Sequence, residues 1–227
     1  KTANTILATR CGHWAGNSGI ALIEVVKAFG RVNRDLVPYD FEFMSVSNGT
    51  SMHTMKPYSY QQMGSFRAVM FIPWDVIMLL FDELYTMEVP LFVPSNQWMT
   101  AIMTHAQRET DMNWWHLQPG VSGTLPDQPP WALPYPWVIG NTTSVARTSA
   151  FWFETSNFNT FPGVGRFDSI GDLFSQLARG DFEGMRLAMR DFNRRTLEES
   201  DAWYQQAVTS LLSTSKLQAG GWRSWSS

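Results

Sequence analysis

The sequence predicts an α/β fold: a mostly parallel sheet of about five or six strands with helices on both faces. Three observations carry that expectation. Between Ala68 and Val93 runs a strand, helix, strand unit whose two strands are apolar throughout, as a sheet covered on both faces requires. Short β-type runs and helical patterns alternate through the first half of the chain. At 227 residues, 44% of them hydrophobic, the chain is long and apolar enough to bury one large core. A layered parallel arrangement of this kind is Rossmann-like.

Taken in order, Thr5 to Thr9 reads as a short strand that ends at Arg10. Gly12, Gly16 and Gly19 then mark a strand-to-helix turn. Ile20, Ile23, Val26 and Phe29 predict an amphipathic helix from about Ser18 to Arg34, stopped by Pro38. Phe41 to Ser47 is the next strand, closed by Asn48-Gly49, and Tyr58 to Met63 has weak helical character. Ala68 to Ile72 is a strand, Val76 to Met87 a helix, and Val89 to Val93 a strand joined by a right-handed crossover. A helix is expected from Ser95 to Arg108. Pro119 to Pro136 holds six prolines and reads as a long loop, the centre of a Pro/Trp-rich insertion at about 111–140. Helical periodicity returns at Ser169 to Leu177, with Asp168 or Ser169 as N-cap, and again from Gly180 to Leu212. The expected layout is one domain over 1–212 and a Ser/Gly-rich tail over 213–227.

Composition excludes several functions. Lys and Arg number 17 against 20 Asp and Glu, a net charge of −3, which argues against a polybasic nucleic-acid binder. The single cysteine, Cys11, can form no internal disulfide and no Cys-rich metal module. The most apolar stretch, Ala68 to Phe81, is broken by Pro73 and Asp75 and is too short to cross a bilayer. The chain opens at Lys1 with neither Met nor a charged-then-apolar leader, so a fragment or processed product is expected. Cytoplasmic and secretory locations both stay open. Asn48-Gly-Thr and Asn141-Thr-Thr are glycosylation acceptors in the secretory case.

His13, His53, His105 and His116 show no metal spacing, and no Gly-x-Ser-x-Gly elbow occurs, so zinc and serine hydrolase chemistry lack support. The glycines after the first strand lack both the dinucleotide and the P-loop endings. Trp114-Trp115 and the Trp222 to Trp225 pair could stack on sugar rings, with core packing and disorder as their plainer uses. The informative segment is Phe71 to Pro94. Asp75 lies just past the carboxyl end of a buried strand, where ligands of open α/β sheets bind, and Glu83 lies on the helix that follows. Carboxylates there accept hydrogen bonds from sugar hydroxyls. Asp75 reads equally as a helix N-cap, and Glu83 as a solvated helix position.

Pro73, Asp75, Glu83 and Pro90, followed by the apolar Leu91-Phe92-Val93, resemble the signature of retaining glycosyltransferases of the GT-B fold. In that signature a strand ends in Pro-Ser, an acidic residue follows, and a helical Glu leads into Gly-x-Pro-Val-Val. The resemblance is best over Ser65 to Ser95 and looser over Thr5 to Leu212. It implies the donor-binding half of such an enzyme: a domain that moves a hexose from a nucleotide diphosphate sugar to a saccharide or other hydroxyl acceptor. Catalytic roles then fall to Asp75 and Arg10, and donor binding to Glu83, Asp75 and Trp74. Glu83 would hold ribose hydroxyls, Asp75 would face the donor sugar, and Arg10 would stabilise the leaving diphosphate. That mechanism needs no metal and no cofactor beyond the donor substrate. The resemblance also implies a second Rossmann-like half, or a partner chain, to supply acceptor-binding groups.

Three features of this sequence depart from the family pattern, the first being that the Lys that often follows the Arg by several residues is absent, with Asn17 and Ser18 in its neighbourhood. Val76-Ile77-Met78 stands where members carry Gly-Phe-Gly, and Glu88 where they carry Gly. The replaced Gly-Phe-Gly and the aromatic, Pro-rich stretch around Trp131 to Trp137 support a second reading, an inactive glycosyltransferase-like domain that serves as a structural or interaction module.

Overall fold

The structure, a computed structural model, describes residues 4–9, 17–44, 58–73, 78–99 and 153–221. In chain order the elements are β1 (Thr5–Thr9), α1 (Asn17–Val32), β2 (Asp40–Phe43), α2 (Tyr60–Met63), β3 (Ala68–Phe71), α3 (Leu79–Thr86) and β4 (Leu91–Pro94). They continue with α4 (Asn157–Thr160), β5 (Gly165–Phe167), α5 (Ile170–Arg179) and α6 (Phe182–Gly221). Residues 96–99 are also helical. The five strands form one sheet in the order β2-β1-β3-β4-β5, and every neighbouring pair is parallel. The fold is therefore Rossmann-like α/β, as the apolar strands require.

One face of the sheet presents Ile6, Ala8, Ala68, Met70 and Ile72, which pack with Ile23 and Val26 of α1 and with Ile170, Leu173, Phe174 and Leu177 of α5. In α1 the observed stripe differs from the expected one: Ile23 and Val26 are buried, but Ile20 is 50% and Phe29 39% exposed. A strict spacing of three drifts by about 60° per step around a helix with 3.6 residues per turn. Ile20 and Phe29 therefore stand about 180° apart, and the helix buries the stripe through Gly19, Ile23 and Val26 instead.

Alternate strand residues face the other way. There Phe71 meets Phe81 of α3 with ring centres 5.6 Å apart, and Phe81 also touches Phe158 of α4 at 5.5 Å and Tyr85 at 5.9 Å. Two polar links fix this aromatic layer. The Tyr85 hydroxyl donates to the Pro162 carbonyl at 2.8 Å, and the Asn157 amide donates to Asp82 Oδ1 at 2.8 Å.

Strand β5 was not expected from sequence, because Gly-Arg-Phe is short and only Phe167 of it is buried. It enters the sheet through register with β4, Phe92 opposite Gly165. Ser169 caps α5 by accepting from the Asp172 amide at 3.0 Å, and Gly180 closes it in the left-handed conformation at φ 67°. Helix α6 runs on to Gly221, past the Ser213 boundary drawn from composition. Leu, Lys, Gln and Ala among residues 211–219 are good helix formers, and the serines between them cost little. The chain divides into two compact units, Lys1–Met189 and Arg190–Ser227. In the second, the side chains of α6 from Arg190 to Ser213 are largely exposed, including Trp203 and Tyr204, and ion pairs run from Arg194 to Asp191 and Glu198. The Pro/Trp-rich insertion at 111–140 and residues 222–227 lie outside the described residues.

Candidate functional site

In this strand order the chain moves outward from β1 to β2 and then in the opposite direction through β3, β4 and β5. The reversal falls between β1 and β3, and the crevice beyond their carboxyl ends is where open α/β sheets take ligands. The two strands end level: Thr9 is registered with Phe71. Arg10 follows Thr9 directly in the chain, and Trp74 and Asp75 follow Phe71-Ile72-Pro73. Of the expected site residues, Arg10, Trp74 and Asp75 lie outside the described residues, and Glu83 lies within them.

Glu83 is the fifth residue of α3, which begins at Leu79 rather than at the expected Val76. At 1.5 Å per residue it stands about 6 Å along the axis from the start of the helix. It is half-buried, and its Oε1 accepts the Tyr60 hydroxyl at 2.8 Å. Tyr60 opens α2, whose position is fixed by a reciprocal capping box between Ser59 and Gln62. The hydrogen bond to the Glu83 carboxylate, and then its charge, raise the Tyr60 pKa, because both favour the protonated phenol. Tyr60 thus holds one oxygen of Glu83 in place as a surface-facing acceptor.

The N-cap of α3 is Met78, in extended conformation and without a side-chain cap bond, so the capping position assigned to Asp75 is three residues too early. Met78 is also buried, at the third position of the replaced Gly-Phe-Gly. Glu88, which stands where the family pattern has Gly, adopts φ 57°. This left-handed conformation costs an L-residue about 1–2 kcal/mol, and glycine adopts it freely. A glycine at this position would be free of that cost.

A second Tyr–Glu pair lies beside edge strand β2, where the Tyr58 hydroxyl donates to Glu42 Oε1. Partial burial, then the Glu42 bond, push the Tyr58 pKa up to about 12. An open hollow of about 420 Å³ lined by Lys27, Arg31, Arg34, Tyr39, Asp40 and Phe41 lies beside the start of β2. That is the amino end of the strand, opposite the edge at which a parallel sheet binds ligands.

Sequence reading passed over two residues that the structure brings forward. Thr9 Oγ1 and Ser95 Oγ are buried and, among the described residues, have no hydrogen-bond partner. Such an orphan hydroxyl costs about 1–3 kcal/mol. The available signal was their placement: each is a hydroxyl residue directly after an apolar run, Ile6-Leu7-Ala8 and Leu91-Phe92-Val93-Pro94. Among the described residues no group of three His, Cys, Asp or Glu side chains converges, and no helix is long and apolar enough to cross a membrane. No protein-family model, no curated protein and no solved structure matches the chain.

Proposed function

We propose that this chain is the nucleotide-sugar-binding half of a retaining glycosyltransferase. The observation that carries the reading is the level ending of β1 and β3 at the reversal of the sheet, Thr9 opposite Phe71. In the sequence Arg10 follows Thr9 directly and Asp75 follows Phe71 by four residues, and the carboxyl ends of such strands are where open α/β sheets bind ligands. The Pro73, Asp75, Glu83, Pro90 spacing supports it, as does the left-handed turn at Glu88.

In this reading the donor's bond between the sugar anomeric carbon and the diphosphate oxygen breaks, and a new bond forms from that carbon to the acceptor hydroxyl oxygen. The acceptor proton passes to the departing diphosphate, which leaves as nucleoside diphosphate. Arg10 offsets the charge that grows on the diphosphate as it leaves. Asp75 and Trp74 face the donor sugar, and Glu83, steadied by Tyr60, accepts from ribose hydroxyls. The donor is the substrate, and neither a metal nor a further cofactor is assigned. A saccharide or other hydroxyl acceptor is held against the donor by a second Rossmann-like half or a partner chain.

One observation favours the interaction-module reading: buried Met78 occupies a position where the family's glycine lets backbone approach the donor. Calorimetric titration of UDP- and GDP-sugars into wild type and Glu83→Ala separates the two. Specific binding that is lost in the variant supports the transferase, and silence from every donor supports the module.

A further inference from the structure

Among the described residues two buried hydroxyls lack partners, and both stand at the carboxyl edge of the sheet. Thr9 closes β1 and is fully buried. Ser95 follows β4 directly, and its carbonyl accepts the Met99 amide at 2.8 Å, the first bond of the helical residues 96–99. A serine in that place commonly turns its hydroxyl onto the helix amides. Ser95 does not, since its Oγ is unpaired. Buried polar atoms in native proteins are paired as a rule, so an exception calls for a reason, and a ligand that completes the bond is one.

The registers relate the two positions. Thr9 stands opposite Phe71, and the β3–β4 pairs Val69 with Leu91 and Met70 with Phe92 put Val93 next in line with Phe71. Ser95 is two residues beyond Val93, and its amide still donates to the Phe167 carbonyl at 2.9 Å, so the ladder persists to that point. Thr9 and Ser95 therefore belong to the same face of the pleat. Two strand spacings and one two-residue step separate them, about 12 Å in all. A ligand that meets both is elongated and rich in oxygen at each end.

We infer that Thr9 and Ser95 are donor-contacting residues: the Thr9 hydroxyl donates to the diphosphate, and the Ser95 hydroxyl bonds a hydroxyl at one end of the same ligand. The inference rests on the nucleotide-sugar reading and extends its site from the β1/β3 crevice across to β4. A single donor molecule then spans three adjacent strands, and both orphan hydroxyls gain partners when it binds.

The test uses the whole 227-residue chain. Thr9→Val and Ser95→Ala delete the hydroxyls, and Thr9→Ser keeps one. Thermal melting without ligand is compared with calorimetric binding of UDP-glucose, GDP-mannose and the corresponding nucleoside diphosphates. Both deletions are expected to melt at or above the wild-type temperature, because no bond is lost, and to bind the donor about tenfold more weakly. Thr9→Ser binds within about twofold of wild type. A lowered melting temperature in both deletion variants would overturn the inference by giving the hydroxyls a structural use. Wild-type binding with undiminished affinity in both deletions overturns it too and leaves the donor reading standing. No binding by wild type removes both.

Discussion

Replacing Gly165 by Ala probes the strand pairing that carries the edge of the sheet. A Cβ at this position would lie 2.6 and 2.8 Å from two carbons of the Phe92 ring and 3.1 Å from Gln176 Oε1. Carbon atoms rest at about 3.5–4.0 Å, so the ring or the strand has to shift by about 1 Å. Phe92 is buried, with its ring 6.2 Å from that of Phe182, and Gln176 is tied to the Arg166 carbonyl at 2.6 Å. Neither neighbour moves freely, and the expected cost is that of an overpacked core, about 1–3 kcal/mol. Urea denaturation followed by tryptophan fluorescence measures it. In a Phe92→Leu background the ring is gone, and the same substitution should cost at least about 1 kcal/mol less, because residues in contact are not additive. A Gly165→Ala protein within about 0.5 kcal/mol of wild type, or an equal cost in both backgrounds, would refute the packing of β4 against β5.

Three further outcomes follow from the same coordinates. Ser169→Ala removes the cap of α5 and should lower stability by about 1 kcal/mol in thermal melts, and an unchanged melt would mean that the cap is not formed in solution. Glu88→Gly relieves about 1–2 kcal/mol of left-handed strain and loses about 0.5–1 kcal/mol to added freedom of the unfolded chain. A net gain of about 0.5 kcal/mol is expected, and a loss would show that the Glu88 side chain holds the turn. Ultraviolet titration of wild type minus Tyr58→Phe should reveal a phenol that ionises near pH 12. Because the folded pKa lies above the ordinary tyrosine value of 10.0, the pair's contribution to stability is complete below about pH 10 and is lost as pH rises toward 12. A difference curve centred at pH 10 would mean that Tyr58 and Glu42 are apart.

The strands were legible where burial on both faces makes the chain apolar without interruption: Thr5–Thr9 matches its expected span, and Ala68–Phe71 and Leu91–Pro94 differ by one or two residues. Ser169 marked the start of α5 because its hydroxyl accepts an amide that a helix start leaves open, whereas Gly180, read from sequence as the start of the last helix, closes α5 instead. The stripe of α1 was misplaced because a spacing of three only approximates the true turn, and β5 was missed because its pairing comes from β4 and not from its own three residues. At the candidate site, Glu83 was singled out by its match to the family pattern, and its link to Tyr60, 23 residues earlier, is made only by tertiary packing. The same holds for Thr9 and Ser95, whose lack of partners is a property of the folded sheet and of no local motif.

The proposed site sets the two edges of the sheet apart. The carboxyl edge carries the reversal between β1 and β3, the unpaired hydroxyls and the segments that lead to Arg10 and Asp75, while the cationic hollow beside α1 lies at the other edge. Hydrogen exchange with and without a nucleotide sugar tests this most directly. The account predicts slowed exchange in peptides that cover 8–16, 72–80 and 93–97, with Lys27 to Phe41 unchanged. Slowing confined to Lys27 to Phe41, or spread evenly over the sheet, would contradict a donor site at the β1/β3 reversal.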